Sequence, residues 1–221
     1  MEIVRVVDLS RPIDGSTVVY PGDPVPHLEQ HSTVAADGFN LMSVQMGSQS
    51  GTHVDAPYHF DDNTLRIDEI PLDRFVGRGI IVDCTTVGPR ERVTLESVGS
   101  QLDDVRPGDI VLFHTGWARH YQSHVYFDNP FIDAELVRNL LNRGVKTFGL
   151  DALNIDETPT EDNPGEGFPA HHLIAEAGGV ICENLCNLDE ITFANPLISI
   201  LPIKFIGIDG APVRAVAMEV V

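Results

Sequence analysis

Apolar residues occur along this chain mainly in short runs, which predicts many strands and few helices. Continuous apolar runs between turn residues are typical of buried strands, and alternation of apolar and polar residues is typical of half-exposed ones. These patterns predict strands at residues 4–10, 17–24, 40–48, 79–85, 109–116, 145–152, 180–185, 198–208 and 213–221. The chain is therefore expected to be built around a β-sheet.

Two segments have the apolar spacing of a helix instead. Residues 133–142 combine it with an acidic first turn and are followed by Arg143-Gly144, which predicts a capped helix. Residues 169–179 predict a shorter helix that ends in a glycine pair, after one long irregular loop at 157–168. Pro and Gly are spread evenly and mark no linker. Residues 1–221 are thus predicted to form a single domain, a mixed β-sheet with a few helices of α/β or α+β class.

Charge excludes several classes of partner. The 221 residues include 14 Lys plus Arg and 33 Asp plus Glu, which gives a formal net charge of −19. A surface this acidic repels phosphate backbones and anionic lipid, so nucleic-acid and membrane-surface roles are not expected. No apolar run approaches the ~18 residues of a membrane span, and early charges such as Glu2 and Arg5 interrupt any signal-peptide core.

Cysteine usage points to the cytoplasm. Cys84, Cys182 and Cys186 are an odd number in a long chain without a dense cysteine framework. Free buried thiols in a reducing compartment account for them most simply.

The segment from Gln49 to His59, QSGTHVDAPYH, holds the densest set of potential metal ligands. It contains two imidazoles, one carboxylate and one carboxamide within eleven residues. Residues two apart in an extended segment share a face, so His53 and Asp55 are expected to point the same way. Together they offer a nitrogen and an oxygen to one divalent cation. The alternative is a polar surface loop in which Asp55 caps a turn, but the dense flanking pattern favours the metal site.

A second cluster combines His171 and His172 with Glu183. Glu183 stands alone among apolar residues, and a carboxylate in a buried strand is costly unless it is paired, hydrogen-bonded or bound to metal. The alternative is a Glu183 at the strand end, solvated or paired with an arginine. The residues alone leave both interpretations open.

These clusters resemble those of a known family. GTHVDAPYH resembles the His-x-Gly-Thr-His-x-Asp-x-Pro-x-His motif of the metal-dependent cyclase/hydrolase family, of the kynurenine formamidase and isatin hydrolase type. Other segments match that family in the same order: DLSRPIDGSTVVYPGDP, VLFHTGW, GVKTFGLDALNID, HHLIAEAGGVICENLCNLDEI and LPIKFIGIDGAPVRAVA. The resemblance covers almost the whole chain. It implies an α/β fold of the swivelling β/β/α type.

The resemblance also implies a site. In the family, the positions of His53 and Asp55 are metal ligands, and those of His171 and Glu183 complete the site, which often holds a second ion. The last histidine of the motif, His59 here, is the implied proton-transfer residue. The cofactor would be one or two divalent ions, zinc by preference and manganese as the alternative. Subunit contacts near the active site would make the protein a homodimer or homotetramer.

One position departs from the family motif, because Gln49 stands where the family usually has histidine. A carboxamide is a weaker, harder ligand than imidazole. Three outcomes follow: Gln49 ligates through its side-chain oxygen and favours a harder ion, the protein keeps one ion only, or activity is lost and the fold is kept for binding. A retained site with altered metal preference or stoichiometry is favoured, because the other ligand types are intact.

Sequence analysis therefore predicts a metal-dependent hydrolase of a small amide, imide or lactone, similar to an arylformamidase. A metal-activated water would attack the carbonyl, and His59 would move the proton. The alternative is a non-catalytic homologue that binds a metal or ligand with a degenerate site. The presence of His59 favours the enzyme, since a binding protein does not need a proton shuttle beside its ligands.

Overall fold

Residues 2–221, which are the residues that the computed structural model describes, form thirteen strands and four α-helices. The strands are β1 (Ile3–Asp8), β2 (His27–Ser32), β3 (Leu41–Gln45), β4 (His53–Asp55), β5 (Val76–Asp83), β6 (Arg92–Val93), β7 (Ile110–His114), β8 (Phe131–Ile132), β9 (Thr147–Leu150), β10 (Val180–Glu183), β11 (Leu197–Ser199), β12 (Gly210–Pro212) and β13 (Val216–Val220). The helices are α1 (Val34–Asp37), α2 (Leu95–Val98), α3 (Ala134–Asn142) and α4 (Pro169–Glu176). Short 3-10 turns lie at Pro57–His59, Ile67–Glu69, Leu72–Arg74, Gly99–Leu102, Trp117–His120, His124–Phe127 and Leu188–Glu190.

Nine of these strands form one mixed sheet. Its order is β1-β13-β11-β5-β7-β9-β10-β4-β12. The central strands β5, β7, β9 and β10 are parallel to one another, and the strands on either side pair antiparallel. A mixed sheet with a few helices is the α/β architecture that the sequence and its resemblance predicted.

The parallel strands explain the continuous apolar runs in the sequence. Parallel strands are usually covered on both faces, so their residues are apolar without alternation. In β7 the four residues Ile110–Phe113 have no exposed surface at all. The predicted strands at 79–85, 109–116, 145–152 and 180–185 overlap β5, β7, β9 and β10 for this reason.

Two hydrophobic cores lie on the two faces of the sheet. Helices α3 and α4 cover one face with residues such as Leu136, Leu140 and Ile174. The other face is closed by the sheet itself, because Val7 of β1 and Val54 of β4 belong to one core although their strands lie near opposite ends of the strand order. The sheet is therefore strongly curled, in keeping with the twist of mixed sheets.

Two predicted strands differ from the structure. Residues 17–20 join no sheet, and the backbone N–H of Val18 donates instead to the hydroxyl of Tyr121, at 3.0 Å. In the predicted strand 198–208, only the first two residues belong to a strand, β11. Pro202 has no N–H to donate to a ladder, and Ile203 and Phe205 beyond it stay about half exposed.

The hairpin of β2 and β3 forms a separate two-stranded sheet. Strand β3 was predicted from its alternation, whereas β2 was not, because its sequence HLEQHS contains a single strongly apolar residue. The helices at 133–142 and 169–179 are confirmed as α3 and α4, and Asp133 caps α3 through the N–H of Glu135. Within residues 2–221, no helix is both long and apolar enough to cross a membrane.

The fold places β4 between β10 and β12, with α4 beside them. Helix α4 ends at Glu176, and the chain passes through Gly178-Gly179 directly into β10. A Cβ at Gly179 would lie 2.7 Å from the carbonyl oxygen of Lys146, which is a backbone atom that cannot rotate away. This glycine therefore lets the end of α4 pack closely against the start of β10.

We expect Gly179→Ala to destabilise the protein by about 1–3 kcal/mol, because the added methyl overpacks this junction. Urea denaturation followed by circular dichroism measures the free energy of unfolding. Gly99→Ala is the matched control, since a Cβ there meets no atom within 4 Å and the backbone is already helical. A Gly179→Ala variant as stable as the control would show that the junction is not tightly packed.

Candidate active site and metal centre

Four side chains from three elements converge on one face of β4. His53 and Asp55 lie two apart on β4 and share a face, as the extended segment predicted. Glu183 lies directly opposite His53 in the antiparallel pairing of β4 with β10, and His171 comes from α4. All four residues are buried, with 4% to 6% of their surface exposed.

The donor atoms of these side chains face one another. The Nε2 atom of His53 lies 3.3 Å from Asp55 Oδ1 and 3.8 Å from Glu183 Oε2. The Nε2 atom of His171 lies 3.5 Å from Asp55 Oδ2 and 3.5 Å from Glu183 Oε1. Ligand atoms of His53, Asp55 and Glu183 all lie within 4.8 Å of one another, and His171 contacts both carboxylates, so the two clusters predicted from distant parts of the sequence meet. Their role as metal ligands stays a prediction.

Hydrogen bonds fix which nitrogen each histidine presents. The Nδ1 atom of His53 lies 2.9 Å from the carbonyl oxygen of Gly51. A carbonyl oxygen only accepts hydrogen bonds, so Nδ1 carries a proton and Nε2 is the nitrogen that faces the cluster. Gly51 has a φ of +66°, and a Cβ there would lie 2.7 Å from Ile13. Glycine is required at this bend, because other residues rarely adopt that backbone conformation.

Asp156 holds His171 in the same manner. Its Oδ2 lies 2.7 Å from His171 Nδ1 and also accepts the backbone N–H of His171. Its Oδ1 accepts the backbone N–H of Ala170, so this one carboxylate caps the start of α4 and orients the imidazole. A carboxylate behind a histidine is the usual outer support of a metal ligand. Asp156 thus supports both the start of α4 and the donor cluster.

Burial and charge oppose each other in this cluster. Burial disfavours imidazolium, but the close ion pair with Asp55 and the negative charge of Glu183 outweigh it and raise the pKa of His53 to about 9. The pKa of His171 is likewise raised well above its usual value, against burial, by Asp156, Asp55 and Glu183. The pKa of Asp55 is lowered because His171 and His53 outweigh the effect of its burial.

The donors fit a divalent cation. Oδ1 of Asp55 is buried and accepts no hydrogen bond. Such an orphaned acceptor costs free energy unless something binds it. In the described chain, the salt-bridge partners of Asp55 and Glu183 are histidines and include no Lys or Arg. Two imidazoles and two carboxylates are a ligand set that Zn²⁺ accepts.

A second hydrogen-bonded group lies beside the cluster. His59, at the end of the turn Pro57–His59, has Nδ1 2.9 Å from Asp209 Oδ2. Gln49 donates through Nε2 to the same oxygen, also at 2.9 Å. Burial disfavours the imidazolium, but the hydrogen bond to Asp209 and the negative charges of Asp55 and Asp209 raise the pKa of His59.

Both groups open into one cavity of about 240 Å³. Its walls include the aromatic rings of Tyr20, Phe60 and Phe168. Phe60 stacks on His171, with ring centroids 4.3 Å apart, and covers the outer side of the cluster. The cavity thus combines a polar floor with apolar walls, which is the usual composition of a small-molecule site.

The chain is similar to known proteins along almost its whole length. The Cyclase family model, described as "Putative cyclase", matches residues 7–157. The kynurenine formamidase of Salinibacter ruber is 34% identical, over 98% of this chain and 98% of that protein. The chain belongs to the cyclase family.

Solved structures agree with that assignment. Isatin hydrolase A from Labrenzia aggregata, bound to benzyl benzoate, is 24% identical and superposes with a TM-score of 0.86 over 97% of this chain and 93% of its own. A "predicted metal-dependent hydrolase" from Bacillus stearothermophilus is 28% identical, with a TM-score of 0.79 over 97% of this chain and 98% of its own. These likenesses confirm the mixed α/β fold expected of a cyclase-family member.

The structure also separates residues that the sequence left together. His172 is exposed and contacts none of the cluster's carboxylates, unlike its buried neighbour His171. Asp209 contacts His59 but was missed by sequence analysis, although it interrupts an apolar run directly before Gly210, much as Glu183 interrupts its own run. Gln49 lines the cavity with its nitrogen bonded to Asp209, and its side-chain oxygen is buried without a hydrogen-bond partner, as Oδ1 of Asp55 is.

Metal uptake by this cyclase-family protein should release protons. The pKa of His53 is raised to about 9 in the metal-free protein, which favours its charged form at neutral pH, and a cation binds only neutral imidazole. The charged His53 stabilises the metal-free fold below its ordinary pKa, and this contribution is lost as pH rises through about 9.

We expect protons to be released when the ion binds at neutral pH, and metal affinity to increase with pH. Calorimetric titration of Zn²⁺ in buffers of different ionisation enthalpy counts the protons. His27→Gln is the control, because His27 is exposed and lies outside the cluster. Uptake without proton release would contradict the assignment of charged histidines.

Proposed function

We propose that this protein is a metal-dependent hydrolase that cleaves a non-peptide amide C–N bond of a small molecule. The observation that carries the proposal is the convergence of four buried donors, one of them an orphaned carboxylate oxygen, beside a histidine–aspartate pair in a cavity. The likeness to a kynurenine formamidase supports the same reaction class, since it extends over 98% of both chains.

His53, Asp55, His171 and Glu183 are the residues that would hold the ion. Zinc is the preferred ion, because a mixed set of imidazole and carboxylate is common at catalytic zinc sites. Manganese is the alternative, as two carboxylates also suit a harder cation. A divalent ion bound there supplies Lewis-acid polarisation of the carbonyl and acidifies a water molecule.

His59 is the proposed acid–base residue. It lies outside the four-donor cluster but lines the same cavity, and its Nε2 is left free when Nδ1 donates to Asp209. It can therefore accept a proton during attack on the carbonyl and return it to the leaving nitrogen. Phe60 shields the cluster from water on one side, which strengthens the electrostatic interactions inside.

The proposed substrate is a small aromatic amide or imide, with a lactone as the corresponding C–O substrate. The rings of Tyr20, Phe60 and Phe168 offer apolar walls for a planar group. N-formylkynurenine and isatin are the first compounds to test, because proteins named for these activities are among the relatives. The fold does not choose between them.

We expect His59→Ala to keep its bound metal and to lose about 10²–10⁴-fold in kcat, as is typical when an acid–base group is removed. Glu183→Gln should lose both metal and activity. Elemental analysis and hydrolysis of N-formylkynurenine, isatin and a lactone panel are measured on the same samples. A metal-loaded wild type without turnover on any of them would favour the non-catalytic homologue instead.

The cysteines fit a reducing compartment, and we propose a cytoplasmic location. Cys84, Cys182 and Cys186 are all free and buried. Burial raises the pKa of Cys84 to about 12, so its thiol stays protonated and unreactive.

We further propose that a second copy of the chain covers the β2–β3 hairpin. An isolated two-stranded hairpin is at best marginally stable, and Leu28, Leu41, Met42 and Val44 are 39% to 53% exposed. Beside it lies the irregular segment 201–208, where Ile206 is 83% exposed. A cluster of exposed apolar side chains supports an interface at this position.

Charge explains why the partner would meet this surface. Two copies that each carry a net charge of −19 repel one another over most of their surfaces. The stretch 38–52 contains no Asp, Glu, Lys or Arg, and 191–208 contains only Lys204. The two stretches, neither of which contains an acidic residue, meet at the groove between Val44 and Ile206, so association there brings little like charge together.

Light scattering at micromolar concentration should therefore give twice the chain mass of 24.2 kDa, or four times that mass for a tetramer. Val44→Asp together with Ile206→Asp should give monomers, because it places charges in the apolar surface. Leu72→Asp is the matched control, since Leu72 is 69% exposed but lies outside this surface. A monomeric wild type would refute the proposal.

A further inference from the structure

The carboxylate of Asp209 accepts three side-chain hydrogen bonds. Ser48 Oγ donates to Oδ1 at 2.9 Å, while Gln49 Nε2 and His59 Nδ1 both lie 2.9 Å from Oδ2. The backbone carbonyl of Asp209 also accepts the N–H of Ala56 at 2.8 Å. Ala56 directly precedes the turn Pro57–His59 that carries His59. The carboxylate is thus held in place from several sides.

This arrangement determines the tautomer of His59. A carboxylate only accepts hydrogen bonds, so Nδ1 of His59 must carry the proton that faces Asp209. Gln49 Nε2 lies 3.3 Å from His59 Nδ1, but both are donors in this arrangement and share the Oδ2 acceptor. The nitrogen left without a proton in neutral His59 is Nε2.

The orientation of Gln49 follows from the same carboxylate. If its amide were turned round, its oxygen would face Oδ2 of Asp209 and repel it. A Cβ at Gly210 would lie 2.7 Å from both amide atoms, so the absence of a side chain there leaves space for the carboxamide. The amide nitrogen that fills this space is directed at Asp209.

We propose that Asp209 is the positioning residue that keeps His59 in its Nδ1–H tautomer, and that Gln49 positions Asp209 rather than binding metal. The role of His59 in turnover rests on the proposed function, whereas its tautomer does not. The glutamine thus serves the acid–base pair, and the four buried residues alone hold the ion.

The decisive variant is Asp209→Ala. We expect kcat to fall by about 10²-fold or more, with KM within about threefold of wild type, because the lost group orients the acid–base residue. Asp209→Asn should recover part of that loss. Its single carbonyl oxygen can accept from His59 and Gln49 while the Ser48 hydroxyl reverses to accept from the new amide.

Long-range ¹H–¹⁵N spectra at alkaline pH report the tautomer directly, with the His59 signals identified by their absence in His59→Ala. We expect Nδ1–H in wild type and Asp209→Asn, and a mixture in Asp209→Ala. Asp68→Asn is the matched control, since Asp68 fastens the N–H of Gly207 in the same segment without touching His59. Nε2–H in wild type, or an unchanged tautomer in folded Asp209→Ala, would overturn the proposal.

Gln49→Met separates positioning from ligation. The thioether has the length of the glutamine side chain but cannot donate to Asp209. We expect full metal content and a reduced kcat, whereas loss of metal would show that Gln49 is a ligand and overturn its assigned role. If the wild type hydrolyses no substrate, the proposed function fails, yet the spectra and the metal content still test this inference.

Discussion

Burial of two negative charges is the constraint on which the site depends. The carboxylates of Asp55 and Glu183 lie within 4.8 Å of each other and are almost completely buried. Buried carboxylates are stable only with compensating charge or hydrogen bonds. Positive charge that balances these carboxylates comes from His53 and His171 as imidazolium ions. In the proposed metal-bound state it would come from the cation, with both histidines neutral. Under the proposed function, one set of side chains would serve two states, which differ by the exchange of protons for metal.

The surrounding structure keeps this set in place. Gly51 and Asp156 each fix the protonated nitrogen of one histidine, and the N–H of Ile155 donates to Glu183 at 2.7 Å. These supports come from loops at the ends of strands, where the chain is free to bend toward the cluster. Preorganisation of this kind keeps donors ready for an ion without large rearrangement.

His59 and Asp209, the proposed acid–base pair, lie closer to the surface than the cluster. The side chains of His59 and Asp209 are 32% and 30% exposed, so protons can be exchanged with solvent there. Ser48 connects this pair to the apolar surface, because it donates to Asp209 and also lines the groove beside Phe205. A partner subunit on that surface would therefore lie next to the acid–base pair without reaching the buried donors.

The sequence by itself determined the parallel core and the types of donor. Continuous apolar runs identify buried strands because both faces are covered, and the spacing of His53 and Asp55 already puts them on one face. The local pattern did not determine which distant segments meet; only the family resemblance implied that His171 and Glu183 join His53 and Asp55. Glu183 lies opposite His53, and Asp209 beside His59, only because the antiparallel strands β10 and β12 flank β4. Such pairing depends on the free energy of the whole curled sheet, which no local pattern encodes.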